Sequence, residues 1–144
     1  MSYFRYYQDR KSNAIVVSLG LGDLLMESIK KTAEKLEIHT GIVLTGIGSL
    51  TKANFNYGGK TYDLDGPFEV TNLCGTIASF EPHIHISMVG ADGKFYGGHL
   101  NDGCKIYTVA EISILKLDDL QLTRKLRDGS DINLLDNAYN PTGR

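Results

Sequence analysis

The sequence predicts an α+β fold of the α/β-type sandwich kind: a central, mostly antiparallel β-sheet covered by one long helix. Two observations predict it. A single segment near the start carries helical periodicity, and from Thr51 onward the chain breaks into β-rich runs separated by Gly, Asp and Asn turn signals. A helix set apart from a succession of strands is the pattern of that class.

The elements follow in order. Ala14 to Leu19 is an apolar, β-branched run bounded by Asn13 and Gly20, and is the first expected strand. A helix opens near Asp23, whose carboxylate can cap the free amides of the first turn. Leu25, Ile29, Ala33 and Leu36 give its apolar spacing, while Glu27, Lys30, Lys31 and Glu34 face water. Gly41 to Leu44 starts a second strand that runs into Gly46-Ile47-Gly48-Ser49-Leu50. That glycine pair reads as a structural turn and not as a nucleotide loop. The third position of the dinucleotide fingerprint is Thr51, and no helix N-terminus follows to hold phosphate.

Strands over Lys52 to Tyr57 and Lys60 to Leu64 flank a tight Gly58-Gly59 turn. Asp65-Gly66-Pro67 reads as a further turn before Phe68 to Leu73, and Gly75 to Ser79 either continues that strand or begins another. After Asn101-Asp102-Gly103 a long strand runs from Ile106 to Leu115, and 118–127 reads as weakly helical or irregular. Tyr57, Tyr62, Phe68 and Phe95 are expected to fill the core. One domain spans 4–135, followed by a polar tail over 136–144.

Composition narrows the function classes. A chain of 144 residues with 42% apolar and 22% charged residues reads as one soluble globular domain. No apolar run approaches a membrane span, and Met1 to Arg5 lacks a signal-peptide core, so a cytoplasmic location without membrane partners is the expectation. The net charge of −2 offers no basic excess for phosphate neutralisation, which lowers the odds of DNA binding without excluding it. Lys30, Lys31 and Lys35, like Arg124, Lys125 and Arg127, are interleaved with acids and read as solvated faces. Cys74 and Cys104 make no disulfide framework. Cys74 reads as a small buried residue, and Cys104 as a structural or supporting group near the histidines.

Three of the four histidines fall within seventeen residues, at His83, His85 and His99. Alternation puts His83 and His85 on one face of a strand and Ile84, Ile86 and Met88 on the other. The turn Gly90-Ala91-Asp92-Gly93-Lys94 decides where His99 falls. A two-residue Asp92-Gly93 loop sets it opposite Ile86, on the wrong face. A three-residue loop with Gly93 left-handed pairs Gly90 with Lys94 and sets His99 opposite His85. The second register keeps the apolar face coherent, so it is the one expected. Three imidazoles on one face can converge on a divalent, zinc-like ion, leaving a fourth position open for water or a carbonyl ligand. No general base is legible, since neither Glu81 nor Glu111 can be placed from the sequence, and the chain is not identified as an enzyme.

The run Gly46-Ile47-Gly48-Ser49-Leu50, the segment Gly66-Pro67-Phe68-Glu69-Val70 and the block from His83 to Gly103 resemble the plants and prokaryotes conserved (PPC) domain. Ala110-Glu111-Ile112 and Arg124 also look like family positions, and the resemblance covers Phe4 to Leu135. It implies a domain with a central antiparallel sheet that assembles as a homotrimer. In plants this domain follows an AT-hook, Arg-Gly-Arg-Pro, and serves nuclear localisation and protein contact. Prokaryotic relatives are single-domain and often labelled DNA-binding. This chain holds no Arg-Gly-Arg-Pro, and Pro67 stands where the plant Gly-Arg-Phe-Glu has arginine. Its His-x-His and Gly-Gly-His pattern resembles the prokaryotic branch, with which metal has been associated. The expected function is therefore a homotrimer binding a zinc-like ion through His83, His85 and His99, with a DNA-associated regulatory module as the alternative.

Overall fold

Inside–outside alternation along most of the long strands organises the molecule. The structure, a computed structural model, describes residues 2–138. Its elements are β1 (Arg5–Gln8), β2 (Ala14–Gly20), α1 (Leu25–Lys35), β3 (Thr40–Tyr57), β4 (Lys60–Ala78), β5 (Glu81–Gly90), β6 (Phe95–Leu100), β7 (Lys105–Lys116), β8 (Leu122–Leu126) and β9 (Asn133–Asn137). Seven strands form one sheet in the order β1-β2-β7-β3-β4-β5-β6, with antiparallel pairings throughout. A second contact, Phe55 with Leu100 and Asn56 with His99, joins β3 to β6, so this half of the sheet curls closed. β8 and β9 pair only with each other.

One sheet face is apolar and carries α1, which packs on β5, β2 and β7. Ile15, Val17 and Leu19 of β2, Ile106, Ile112 and Ile114 of β7, and Ile84, Ile86 and Met88 of β5 are buried there with Leu25, Ile29 and Ala33 of the helix. Each fully buried aliphatic side chain contributes about 1.5–3 kcal/mol. A one-residue slip in any of these strands would forfeit several at once, which is why the register is well defined. The architecture is thus a mostly antiparallel, sheet-dominated domain with a single helix among the described residues.

Several local expectations are corrected. No turn forms at Gly46-Ile47-Gly48, because β3 runs through it unbroken. A Cβ on Gly46 would lie 2.9 Å from Leu73 Cβ, and one on Gly48 would lie 2.5 Å from the Val109 carbonyl oxygen. The glycines serve close strand approach, which mimics a turn signal in sequence. β4 likewise passes through Asp65-Gly66-Pro67 and on to Ala78, and an irregularity between Leu50 and Lys52 of β3 absorbs the proline.

Helix α1 is preceded by Leu24, with no side-chain cap. The Asp23 carboxylate is already taken, accepting from the Tyr3 and Gly20 amides and the Ser2 hydroxyl. It fastens the N-terminal segment. Glu27 does not face water either: it is half-buried and accepts the Gly103 amide at 2.8 Å. Strand β1 was not expected, and 118–127 yields β8, neither helical nor wholly irregular. Asp136 and Asn137, expected in the tail, belong to β9, and 139–144 lie outside the described residues. Phe68 is buried and Tyr62 packs on the core, but Tyr57 and Phe95 are 68% and 74% exposed.

Candidate metal centre

The β5–β6 turn has the three-residue form. The Gly90 amide donates to the Lys94 carbonyl at 3.0 Å, the Gly93 amide to the Gly90 carbonyl at 2.9 Å, and Gly93 sits at φ 75°. His85 consequently stands opposite His99, Ile86 opposite Gly98 and Met88 opposite Tyr96. Glycines make this register possible. A Cβ on Gly97 would lie 2.3 Å from the Ile86 carbonyl oxygen, and one on Gly98 would lie 2.2 Å from that of Asn56. β6 is squeezed between β5 and β3, and only backbone fits at the two positions before His99. Gly75 does the same for β4, where a Cβ would meet the His83 carbonyl oxygen at 2.0 Å.

The three rings therefore meet on the sheet face turned away from α1. Ring centroids are 4.9 Å apart for His83 and His99, 5.4 Å for His83 and His85, and 5.8 Å for His85 and His99. One nitrogen from each ring lies within 4.8 Å of the other two. A tetrahedral ion held at about 2.05 Å needs ligand nitrogens about 3.3 Å apart, a gap that side-chain rotation can close. No ring of the three makes a hydrogen bond among the described residues, so each keeps a nitrogen free to coordinate. The residues fit a divalent ion with borderline-soft nitrogen preference, such as zinc.

Electrostatics favour the neutral rings. Partial burial holds His83 below the ordinary imidazole value, and the charges of His99, Arg124 and His85 push the same way. Burial, then the His85 charge, lowers His99 as well. Coordination needs the unprotonated ring, and these shifts favour it at His83 and His99.

The neighbours sort clearly. Cys74 is exposed, contrary to expectation, and stands opposite His85 on the same face, though its thiol is outside the group of mutually close ligand atoms. Cys104 is buried, takes the Asn54 amide at 3.1 Å, and burial pushes its thiol up to about 11. It stays a thiol and is structural. Glu111 lies on β7 opposite Ile47, across β3 and β4 from the histidines, and Glu81 precedes His83 without joining the group.

Arg124 is not the solvated charge expected from the sequence, being half-buried and hydrogen-bonded. From β8 it donates to the Thr76 hydroxyl at 2.9 Å and to the Glu81 carbonyl at 3.1 Å, and Thr76 is the cross-strand partner of His83. No local sequence pattern points to this, because β8 reaches the site through tertiary contact alone.

Comparison with known proteins accords with the glycine and histidine pattern. The profile of the Plants and Prokaryotes Conserved (PCC) domain matches residues 6–118. The chain belongs to this family. The PCC chain also matches a bifunctional protein GlmU of Synechococcus, 31% identical over 106 residues, which is 72% of this chain. It spans only 17% of that relative's length. Among solved structures, a Bacteroides thetaiotaomicron protein to which DNA binding has been ascribed superposes with a TM-score of 0.82 at 19% identity, covering 92% of this chain and 96% of that one. A metal-containing protein of Archaeoglobus fulgidus superposes at 0.72 and 23% identity, covering 93% and 98%. Both likenesses establish the PCC fold. Among the described residues no helix is long and apolar enough to cross a membrane.

Proposed function

We propose that this PCC-family chain binds a divalent, zinc-like ion through the neutral imidazoles of His83, His85 and His99 and acts as a homotrimer. The observation that carries the metal reading is the convergence of three hydrogen-bond-free imidazoles within 4.8 Å on one sheet face. The Archaeoglobus relative, itself described as metal-containing, supports it. Three protein ligands would leave a coordination position for an exchangeable partner, and an ion so held would supply Lewis-acid polarisation of an oxygen ligand. The chain's own contribution is placement: the β5–β6 turn fixes the ring faces, Gly97 and Gly98 fix the depth of His99, and partial burial disfavours the protonated forms of His83 and His99.

The trimer reading is supported by the same outer face. Val16 of β2, Ile42 and Ile47 of β3 and Val109 of β7 are apolar and 37–54% exposed there, beside the histidine half of the sheet. Further copies of the chain would cover that stripe. Light scattering before and after chelation checks the assembly and whether it needs the ion.

Elemental analysis of untagged protein tests the metal reading. About one equivalent of metal per chain is expected, lost in the His83→Ala/His85→Ala variant. Less than about a tenth of an equivalent, unchanged in the variant, would contradict it. The second reading, a DNA-associated module, draws on the Bacteroides neighbour and stands against a net charge of −2. Mobility-shift titrations at about 50 and 200 mM salt decide it, since phosphate-based binding weakens steeply between them. No shift at the lower salt removes it.

A further inference from the structure

The guanidinium of Arg124 lies beside the histidines, and among the described residues the Glu81 charge acts on it only from beyond ion-pair distance. It is half-buried, and among the described residues no carboxylate comes within ion-pair distance of it. Its hydrogen bonds go to uncharged oxygens: the Thr76 hydroxyl, the Thr76 carbonyl at 3.5 Å and the Glu81 carbonyl. These two residues bracket the β4–β5 turn, so the hydrogen bonds place the guanidinium next to His83. A guanidinium has five N–H donors. The three acceptors above leave at least two of them unused. Burial disfavours its charge, and the Glu81 carboxylate offsets this only in part.

A cation placed beside a cation-binding cluster costs energy in the absence of an anion. A half-buried arginine bonded only to neutral acceptors, with donors to spare, calls for an oxyanion. The imidazoles contribute no negative charge, so an ion held by three of them keeps its full double charge. The ion and the guanidinium would then make one strongly positive pocket with two oxygen-seeking ends.

We propose that Arg124 is the second half of a small-oxyanion site, binding one oxygen of a carboxylate- or phosphate-bearing molecule whose other oxygen takes the open position at the three histidines. This rests on the metal reading above and names the ligand class that reading leaves open. Arg124 is a ligand-binding residue here, and Thr76 and the Glu81 carbonyl are its positioning groups.

The test uses full-length, untagged protein loaded with Co(II), whose visible bands report changes at the open position. Cobalt content is measured first, then acetate and inorganic phosphate are titrated separately. Saturable spectral change with either anion is expected, and the tighter of the two identifies a carboxylate or a phosphate group as the natural ligand chemistry. Arg124→Gln, which keeps a donor for Thr76 but loses charge and fork, should weaken that anion about tenfold to a hundredfold. Its cobalt affinity measured without anion should be equal or tighter, since a repelling charge is gone. Arg124→Lys should fall between the two, as a point charge without the fork.

The opposite pattern overturns the proposal. Unchanged anion affinity in Arg124→Gln, or parallel loss of cobalt and anion as expected of a purely structural arginine, each counts against it, as does the absence of any saturable response in the parent protein. Failure of the parent to hold cobalt at all defeats the metal reading and this inference together. Retained cobalt with an indifferent Arg124→Gln defeats this inference alone.

Discussion

Two hairpins bring chemistry to the same corner of the molecule, and they are built on different principles. The β5–β6 hairpin presents the histidines on one face and buries Ile84, Ile86 and Met88 on the other, flanked by β4 and β3. The β8–β9 hairpin presents Arg124 but is anchored mainly by polar contacts. Leu122 accepts the Ser79 amide through its carbonyl and donates its own amide to the Thr40 hydroxyl, while Leu126, Leu134 and Leu135 are exposed. The difference teaches that the candidate site has a rigid half, fixed by the core, and a half free to open locally without disturbing the sheet.

The largest expected effect breaks that comparison if it fails. Ile84→Ala should destabilise the fold by about 2–5 kcal/mol through loss of core packing. Leu126→Ala, on an exposed side chain, should change it by less than about 0.5 kcal/mol. Denaturant titration of both checks the ordering, and hydrogen exchange should show β8 amides opening well before those of β5. Equal costs would mean that the hairpins share one cooperative unit.

Matched glycines sharpen it. Gly93 at φ 75° and Gly129 at φ 79° both adopt the left-handed conformation with open space where a Cβ would go. Alanine at either pays about 1–2 kcal/mol of local backbone strain. At Gly93 that strain should appear in the global unfolding free energy and in reduced metal retention, because the turn sets the face of His99. At Gly129 it should appear only as faster exchange in β8 and β9. Calorimetry together with elemental analysis separates the two.

A pH series tests the histidine half next. His83 and His99 are both held below the ordinary imidazole value in the folded, metal-free protein. The unfolded chain therefore takes up protons first as pH falls below about 6.5. Stability of the stripped protein should be level above that value and decline as pH drops through the folded values. The His83→Gln/His99→Gln variant should flatten the decline. The smallest effect belongs to the arginine half: Lys125→Ala removes an ion pair at 3.9 Å and should cost no more than about 0.5 kcal/mol.

How far these features are legible in sequence follows the same division. The β5–β6 register could be read because one slip exposes Ile84, Ile86 and Met88, so burial and turn chemistry give a single answer. The neighbouring β4–β5 turn could not: Ser79 and Phe80 both take positive φ, at 50° and 67°, without the Asn-Gly signature such turns usually carry. Phe80 is held there by the hydrogen bond its N–H donates to the His39 carbonyl and by its edge contact with the His39 ring. Gly46, Gly48 and Gly66 look like punctuation in sequence, yet they sit inside strands where neighbouring backbone or side chains approach too closely for a Cβ. Leu122–Leu126 lacks alternation because little of it is buried, and Arg124 gained its place from Thr76 and Glu81, which are far away in sequence.

The most direct measurement is an anomalous-difference map from crystals of untagged protein grown with zinc. A single peak is expected about 2.0–2.1 Å from one nitrogen of each of His83, His85 and His99. A map with no peak at the three rings, or with the ion seated elsewhere, would contradict the account.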